Sequence, residues 1–370
     1  MSAHSLEDVA WEPCLLEPTR DAALESYVRK KLGVPHPAIR YFVALPWLTH
    51  ALVDLHPEYG LLMRLDLELG DLIQLVVSQE NSCRYCYAAV RSMLRIQGMS
   101  EDRIRRVEGN LTRTDLPRRE AAALTFARAL SRSTPAAASV AKQALLDTGV
   151  DVSEMKEIAF VAASINFMNR ASTAPAIPPY GVERLPSQLH VRLLRPLIAR
   201  LLRKTRRQGQ PMPLDSGLSY PYAGLVESFA GSPIAPALAK ALAEMWASPV
   251  LTRRCKLLLF AVIARGLGCG ACASEAARAL LKDAFPAEAL TNVLTHLDAP
   301  KLDPIERLLV PFARETIWYE PAPLQRRARG VRDQLSPTQF LEAIGVLSLA
   351  NGLCRLGAIV ADHPLEAVHP

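Results

Sequence analysis

The sequence is poor in aromatic residues, which make up 6% of it. Nowhere do β-branched and polar residues alternate. Those two shortages remove the usual composition of sandwiches and barrels. No run approaches 18 uninterrupted apolar residues, so no membrane span and no membrane partner are expected. Met1 to Pro18 lacks the basic-then-apolar order of an export signal, and a cytoplasmic location is the expectation. The seven cysteines, Cys14, Cys83, Cys86, Cys255, Cys269, Cys272 and Cys354, are odd in number and widely spaced. They do not resemble the paired framework of a small secreted domain. The excess of base is modest, with 43 Lys and Arg against 37 Asp and Glu. Much of it sits in one stretch holding Arg192, Arg195, Arg200, Arg203, Lys204, Arg206 and Arg207. No aromatic interleaving or reading motif accompanies that stretch, so it reads as a solvated helix face and no nucleic-acid partner is expected.

What is present is apolar and helix-forming. Half of the 370 residues are hydrophobic, Ala and Leu abound, and the length suits two domains. Leu62, Leu65, Leu69, Leu72, Ile73 and Val76 recur at helical spacing, which predicts a helix over about 60–79. Another begins near Cys83 and stops at Gly98. Ser100, Asp115 and Thr134 read as further starts, and Ser153 to about Ala171 as a long helix with Ile158, Val161, Ala162, Ile165 and Met168 on one face. In the second half, Asp303-Pro-Ile-Glu306 is a capping box, and Ser336-Pro337 opens the last helix. The expected fold class is all-α.

Two stretches stand out. Ser78-Gln-Glu-Asn-Ser-Cys83-Arg-Tyr-Cys86-Tyr87 places two cysteines around a two-residue spacer. Ala264-Arg-Gly-Leu-Gly-Cys269-Gly-Ala-Cys272-Ala273 does so again, 186 positions later. The same shift carries Glu120 onto Glu306, Phe126 onto Phe312 and Arg128 onto Arg314. A shift of 185 carries Glu157 onto Glu342, Asn166 onto Asn351 and Arg170 onto Arg355. This order reads as an internal duplication. It predicts a domain over 1–175, a Pro-rich and basic linker over 176–217, and a second domain over 218–370.

A CxxC at the first turn of a helix has a chemical rationale. The helix N-terminus favours an anion, which draws one thiol toward thiolate. The second thiol, one turn on, can close a disulfide with the first. Four zinc ligands are the competing use of two such pairs. Each pair occupies the same place in its own repeat, so two equivalent sites without metal or cofactor are expected. The plainest alternative makes these cysteines small core residues.

The helix, CxxC, helix pattern, followed by a helix with Asn166 and Arg170, resembles the carboxymuconolactone decarboxylase/AhpD-like (alkylhydroperoxidase-like) family. The resemblance covers most of 40–172 and, more weakly, 225–360. It implies two tandem all-helical domains and a thiol-dependent peroxidase or disulfide oxidoreductase. A peroxide would be the substrate and a thiol or disulfide the electron donor. It also implies a homo-oligomer, and the second cysteine as the attacking thiol.

The redox branch of that family has a glutamate twelve residues before the first cysteine and a histidine four after the second. Here those positions hold Asp71 and Val90, and in the second repeat Leu257 and Ala276. Asp71 could supply the acid, and Glu80, Tyr87, His50 or His56 could stand in for the histidine. The site residues expected are therefore Cys83, Cys86, Asp71, Glu80 and Tyr87, with Cys269 and Cys272 as a second pair. Arg84 and Arg265 are candidates for lowering a thiol pKa. The two sites should be unequal, because Gly266, Leu267 and Ala273 replace Glu80, Asn81 and Tyr87. The alternatives are a decarboxylase-like enzyme without redox chemistry and a non-catalytic scaffold.

Overall fold

The computed structural model describes residues 6–33, 36–109, 111, 115–184, 188–215 and 217–360, without the side chains of 189, 190, 192 and 203. The described chain is helical, and no strand occurs among the described residues beyond one isolated bridge between Tyr59 and Arg207. The helices of the first half are α1 (Ala22–Leu32), α2 (Pro46–Asp54), α3 (Leu67–Glu80), α4 (Arg84–Gln97), α5 (Glu101–Glu108), α6 (Arg118–Arg132), α7 (Pro135–Leu146) and α8 (Val152–Thr173). Next come α9 (Tyr180–Glu183) and α10 (Leu189–Thr205). The second half holds α11 (Ala223–Glu227), α12 (Ile234–Ala247), α13 (Arg253–Leu267), α14 (Gly270–Lys282), α15 (Ala287–His296), α16 (Pro304–Glu315), α17 (Pro321–Arg332) and α18 (Pro337–Val360).

Local chemistry sets most of the boundaries. Asp66, Ser100, Thr134, Asp151 and Thr252 each accept a backbone N–H with their side chain, and Asp303 and Glu306 close the expected capping box. The helix expected from about residue 60 starts at Leu67 instead. Asp66 caps it, and the carboxylate of Glu157 accepts the N–H groups of Met63, Arg64 and Leu65 at 2.7–3.2 Å. Those donors are satisfied from α8, so the segment ahead of Asp66 has no need of helical bonds.

One hydrophobic core runs through both halves, from Leu45 and Leu72 to Phe312 and Leu353. Its axis is the pairing of α8 with α18. Gly352 makes that pairing close, since a Cβ there would sit 2.8 Å from the Ala163 carbonyl oxygen. By length and composition α18 could cross a membrane, with a mean hydropathy of 1.7. Yet 94% of that window is buried within the protein, where Glu342, Asn351 and Arg355 are also buried. The buried Lys256 ammonium lies 2.8 Å from the Glu342 carboxylate.

The interface is tied by exchange. Arg170 of α8 donates to the carbonyls of Thr316 and Ile317 at 2.9 and 3.0 Å. Arg355 of α18 donates to the carbonyls of Ser131 and Ile317 at 3.3 and 3.1 Å. Each arginine also bonds the asparagine one turn before it, at 2.8 Å in both cases. The segment expected as a linker is in part a packed element: Val191, Ala199 and Leu202 of α10 cluster with Ile96 of α4.

Candidate active site

The two cysteine pairs occupy matching local structures. Cys83 is the N-cap of α4 and Cys269 the N-cap of α14. Each Sγ accepts the backbone N–H of the second cysteine at 3.4 Å. A left-handed residue precedes each cap, Ser82 at φ 49° and Gly268 at φ 68°. The chain thus turns sharply from one helix into the next.

Beyond that the sites diverge. Cys83 is fully buried, while Cys86 is partly exposed and lines a pocket of about 70 Å³. The wall opposite carries His36, His56 and Gln74, and the remainder is largely apolar, including Phe42, Val90 and Ile165. Burial opposes ionisation of Cys86. Hydrogen bonds from Cys83, Ser172 and Asn169, with the charge of His56, outweigh it and hold the thiol below its ordinary value. Cys83 moves the other way, pushed well up by burial and by the hydrogen bond it gives Cys86. The dipole argument alone favours the first cysteine; the hydrogen bonds instead lower Cys86, while burial and the bond to Cys86 raise Cys83.

His56 lines the same pocket as Val90. Its Nδ1 lies 2.8 Å from the Glu58 carboxylate, which also accepts from Gln74 Nε2 at 3.1 Å. Burial works against the imidazolium, but Glu58 outweighs it and raises His56. Burial would raise Glu58; His56 and Arg206 hold it down at about 2. Asp71 sits beside this pair and accepts from Arg206 Nη2 at 2.7 Å on both oxygens. Burial and the Glu58 charge nevertheless push Asp71 up to about 7. The result is a buried network of two carboxylates, one histidine and one arginine at the back of the thiol pocket.

The other expected residues lie elsewhere. Glu80 forms an ion pair with Arg128 at 3.3 Å. Tyr87 donates its hydroxyl to Glu108 at 2.5 Å, within a cluster that includes Arg91 and Glu101. Neither lines the Cys86 pocket. His50 pairs with Glu244 at 2.9 Å. Arg84 is engaged by Glu183 at 3.1 Å and by the Val9 carbonyl at 3.2 Å, so its charge is already matched. Arg265 is exposed.

At the second pair both cysteines are buried. Hydrogen bonding to Cys272, then burial, pushes Cys269 well up. At Cys272 the Cys269 thiol draws the pKa down, but hydrogen bonding to Cys354 and burial carry it well above the ordinary value. The sequence shift explains the contrast: Cys354 stands where α8 has Asn169, and Gly357 where it has Ser172. A Cβ at position 357 would lie 2.6 Å from Cys272 Sγ, so the polar side chain that serves Cys86 has no room here. Among the described residues no group of three or more His, Cys, Asp and Glu is arranged to hold a metal ion.

Sequence reasoning missed Gln74, Asn169, Ser172 and Arg206. The offset between the halves was the available signal for two of them, because Asn169 and Ser172 change to Cys354 and Gly357 where Glu157, Asn166 and Arg170 repeat. Arg206 carried no signal, being one of seven basic residues in its stretch.

Residues 59–129 match the model of the carboxymuconolactone decarboxylase family. That segment contains Glu58's neighbour Tyr59, Asp71, Gln74 and the first CxxC, but not His56 or the second pair. No curated protein and no solved structure matches the chain in these comparisons.

Proposed function

We propose that the protein is a thiol-dependent peroxidase or disulfide oxidoreductase of the alkylhydroperoxidase-like kind, working at Cys83 and Cys86. The observation that carries this reading is the unequal thiol pair: Cys86, favoured as thiolate, faces a pocket with a charged histidine, and Cys83 lies buried behind it. The Cys86 thiolate attacks the terminal oxygen of a hydroperoxide, and the O–O bond breaks. His56 supplies the proton that lets the leaving oxygen depart as an alcohol, and Cys86 becomes a sulfenic acid. Cys83 then attacks that sulfur, forming the disulfide and releasing water. Two electrons from an external thiol donor restore both thiols. Glu58 keeps the imidazole charged and oriented, and Asp71 and Arg206 balance the charge around it.

The second pair, in this reading, contributes structure rather than turnover. The matching order of α3–α8 and α13–α18 supports the reading of the halves as an internal duplication. The test is peroxide turnover with a dithiol donor. Cys86→Ser should lower the rate at least a hundredfold, and Cys272→Ser less than threefold. Equal losses would reject the assignment, and a wild-type protein with no turnover would reject the function.

A further inference from the structure

His36 lies outside the family-matched segment and is not needed for the steps above. It precedes the short 3-10 helix Pro37–Tyr41, in extended backbone, and its side chain makes no capping hydrogen bond. The ring lines the Cys86 pocket, with the Tyr85 ring 6.4 Å away. Its Nδ1 is buried and has no hydrogen-bond partner in the protein. A buried polar atom without a partner is costly, so an apolar residue would serve packing better here. His56, the other pocket histidine, differs in having its Nδ1 held by Glu58. Burial and the nearby His56 push His36 down to about 4, so its imidazole is neutral at neutral pH, whereas Glu58 draws His56 toward its charged form.

We propose that His36 is a substrate-contacting residue, whose Nδ1 exchanges a hydrogen bond with the hydroxyl-type head of a small molecule while that molecule's apolar body fills the pocket against Cys86. The inference rests on the reading of this pocket as the reaction site and assigns the polarity of its occupant. The occupant has one polar head and an apolar remainder, matching one orphaned nitrogen among apolar walls. A neutral imidazole orients such a head without adding a second positive charge beside His56. A pocket built around that bond discriminates against analogues without the hydroxyl, because their binding would leave Nδ1 unpaired.

The test uses binding to the reduced full-length protein, so that its outcome does not depend on turnover. tert-Butanol, an alcohol that cannot be reduced further, is titrated by NMR, and xenon uptake reports whether the apolar space persists. Wild type should bind tert-butanol. His36→Leu should weaken that binding about tenfold, the worth of one hydrogen bond, while keeping xenon. His36→Asn, which restores a polar atom near the Nδ1 position, should recover most of the affinity. Unchanged tert-butanol binding in His36→Leu, or none in wild type, overturns the proposal. If His36→Leu loses xenon as well, His36→Asn decides: retained alcohol binding supports the contact, and lost binding overturns it. Absence of peroxide turnover would reject the proposed reaction alone.

Discussion

At the scale of single residues, the proposed role of His56 is open to test by pH. Against burial, hydrogen bonds from Cys83, Ser172 and Asn169, and then the charge of His56, hold Cys86 below its ordinary value, so on the proposed mechanism His56→Gln should move the pH midpoint of Cys86 alkylation upward, toward that of an ordinary thiol. The measurement is iodoacetamide labelling followed by mass spectrometry, and an unmoved midpoint would remove His56 from the relay. The same residue has a stability signature. Its pKa is raised in the folded protein. The contribution is therefore fully present below the unfolded value near 6.5 and is lost as pH rises through the folded one. Wild type should lose thermal stability over that window, and His56→Gln should lose less. The CxxC motif was legible from spacing alone; the inequality of the two pairs was expected from Glu80, Asn81 and Tyr87, of which Glu80 and Tyr87 lie away from the pocket. His56 was only one of two histidines named as possible stand-ins, because it reaches the thiol from the loop after α2. Nothing in local periodicity reports where such a loop folds.

Helix starts and stops were readable where a side chain does the work, as at Ser100, Thr134 and Asp303. They were not readable where a distant group intervenes. The periodic leucines from Leu62 onward suited a helix, but Glu157 satisfies the backbone ahead of Asp66 from another element. The corresponding acid of the other half, Glu342, faces a different partner. Its carboxylate meets the Lys256 ammonium, with both side chains fully buried. Lys256 also donates to the carbonyls of Met245 and Ser248 at 2.7 and 2.6 Å, so it ties the end of α12 to α13. Removing one member of a buried pair strands the other. Lys256→Ala should therefore destabilise the protein by about 3–5 kcal/mol. Lys256→Ala combined with Glu342→Leu should recover part of that loss. Denaturant unfolding measures both, and a Lys256→Ala midpoint equal to wild type would contradict the burial of the pair.

On the scale of the whole chain, the two helical sets share one core rather than owning one each. The sequence anticipated two domains because composition and offset describe each half by itself. It could not report that α8 and α18 would spend their apolar faces on one another. Residues 1–175 expressed alone should expose the α8 face and self-associate, which light scattering would detect. The intact chain should unfold in a single calorimetric transition. Two resolved transitions, or a monomeric well-folded fragment, would mean that the halves are energetically independent.

The exchange of arginines across that shared core has a consequence for how the site can change over time. Arg170 reaches the carbonyls of Thr316 and Ile317 in the second half, and Arg355 reaches that of Ser131 in the first, so each half is anchored partly by the other. If the same arrangement were assembled from two identical chains, every substitution would appear twice, and a change harmful to one pocket would spoil both. On the proposed duplication, both copies travel on one polypeptide. One copy can exchange Asn169 and Ser172 for Cys354 and Gly357, surrender its polar pocket, and still be retained for the grip its helices keep on their neighbour. On the proposed function, the half with the Cys86 pocket is then free to drift in chemistry while its partner holds its shape.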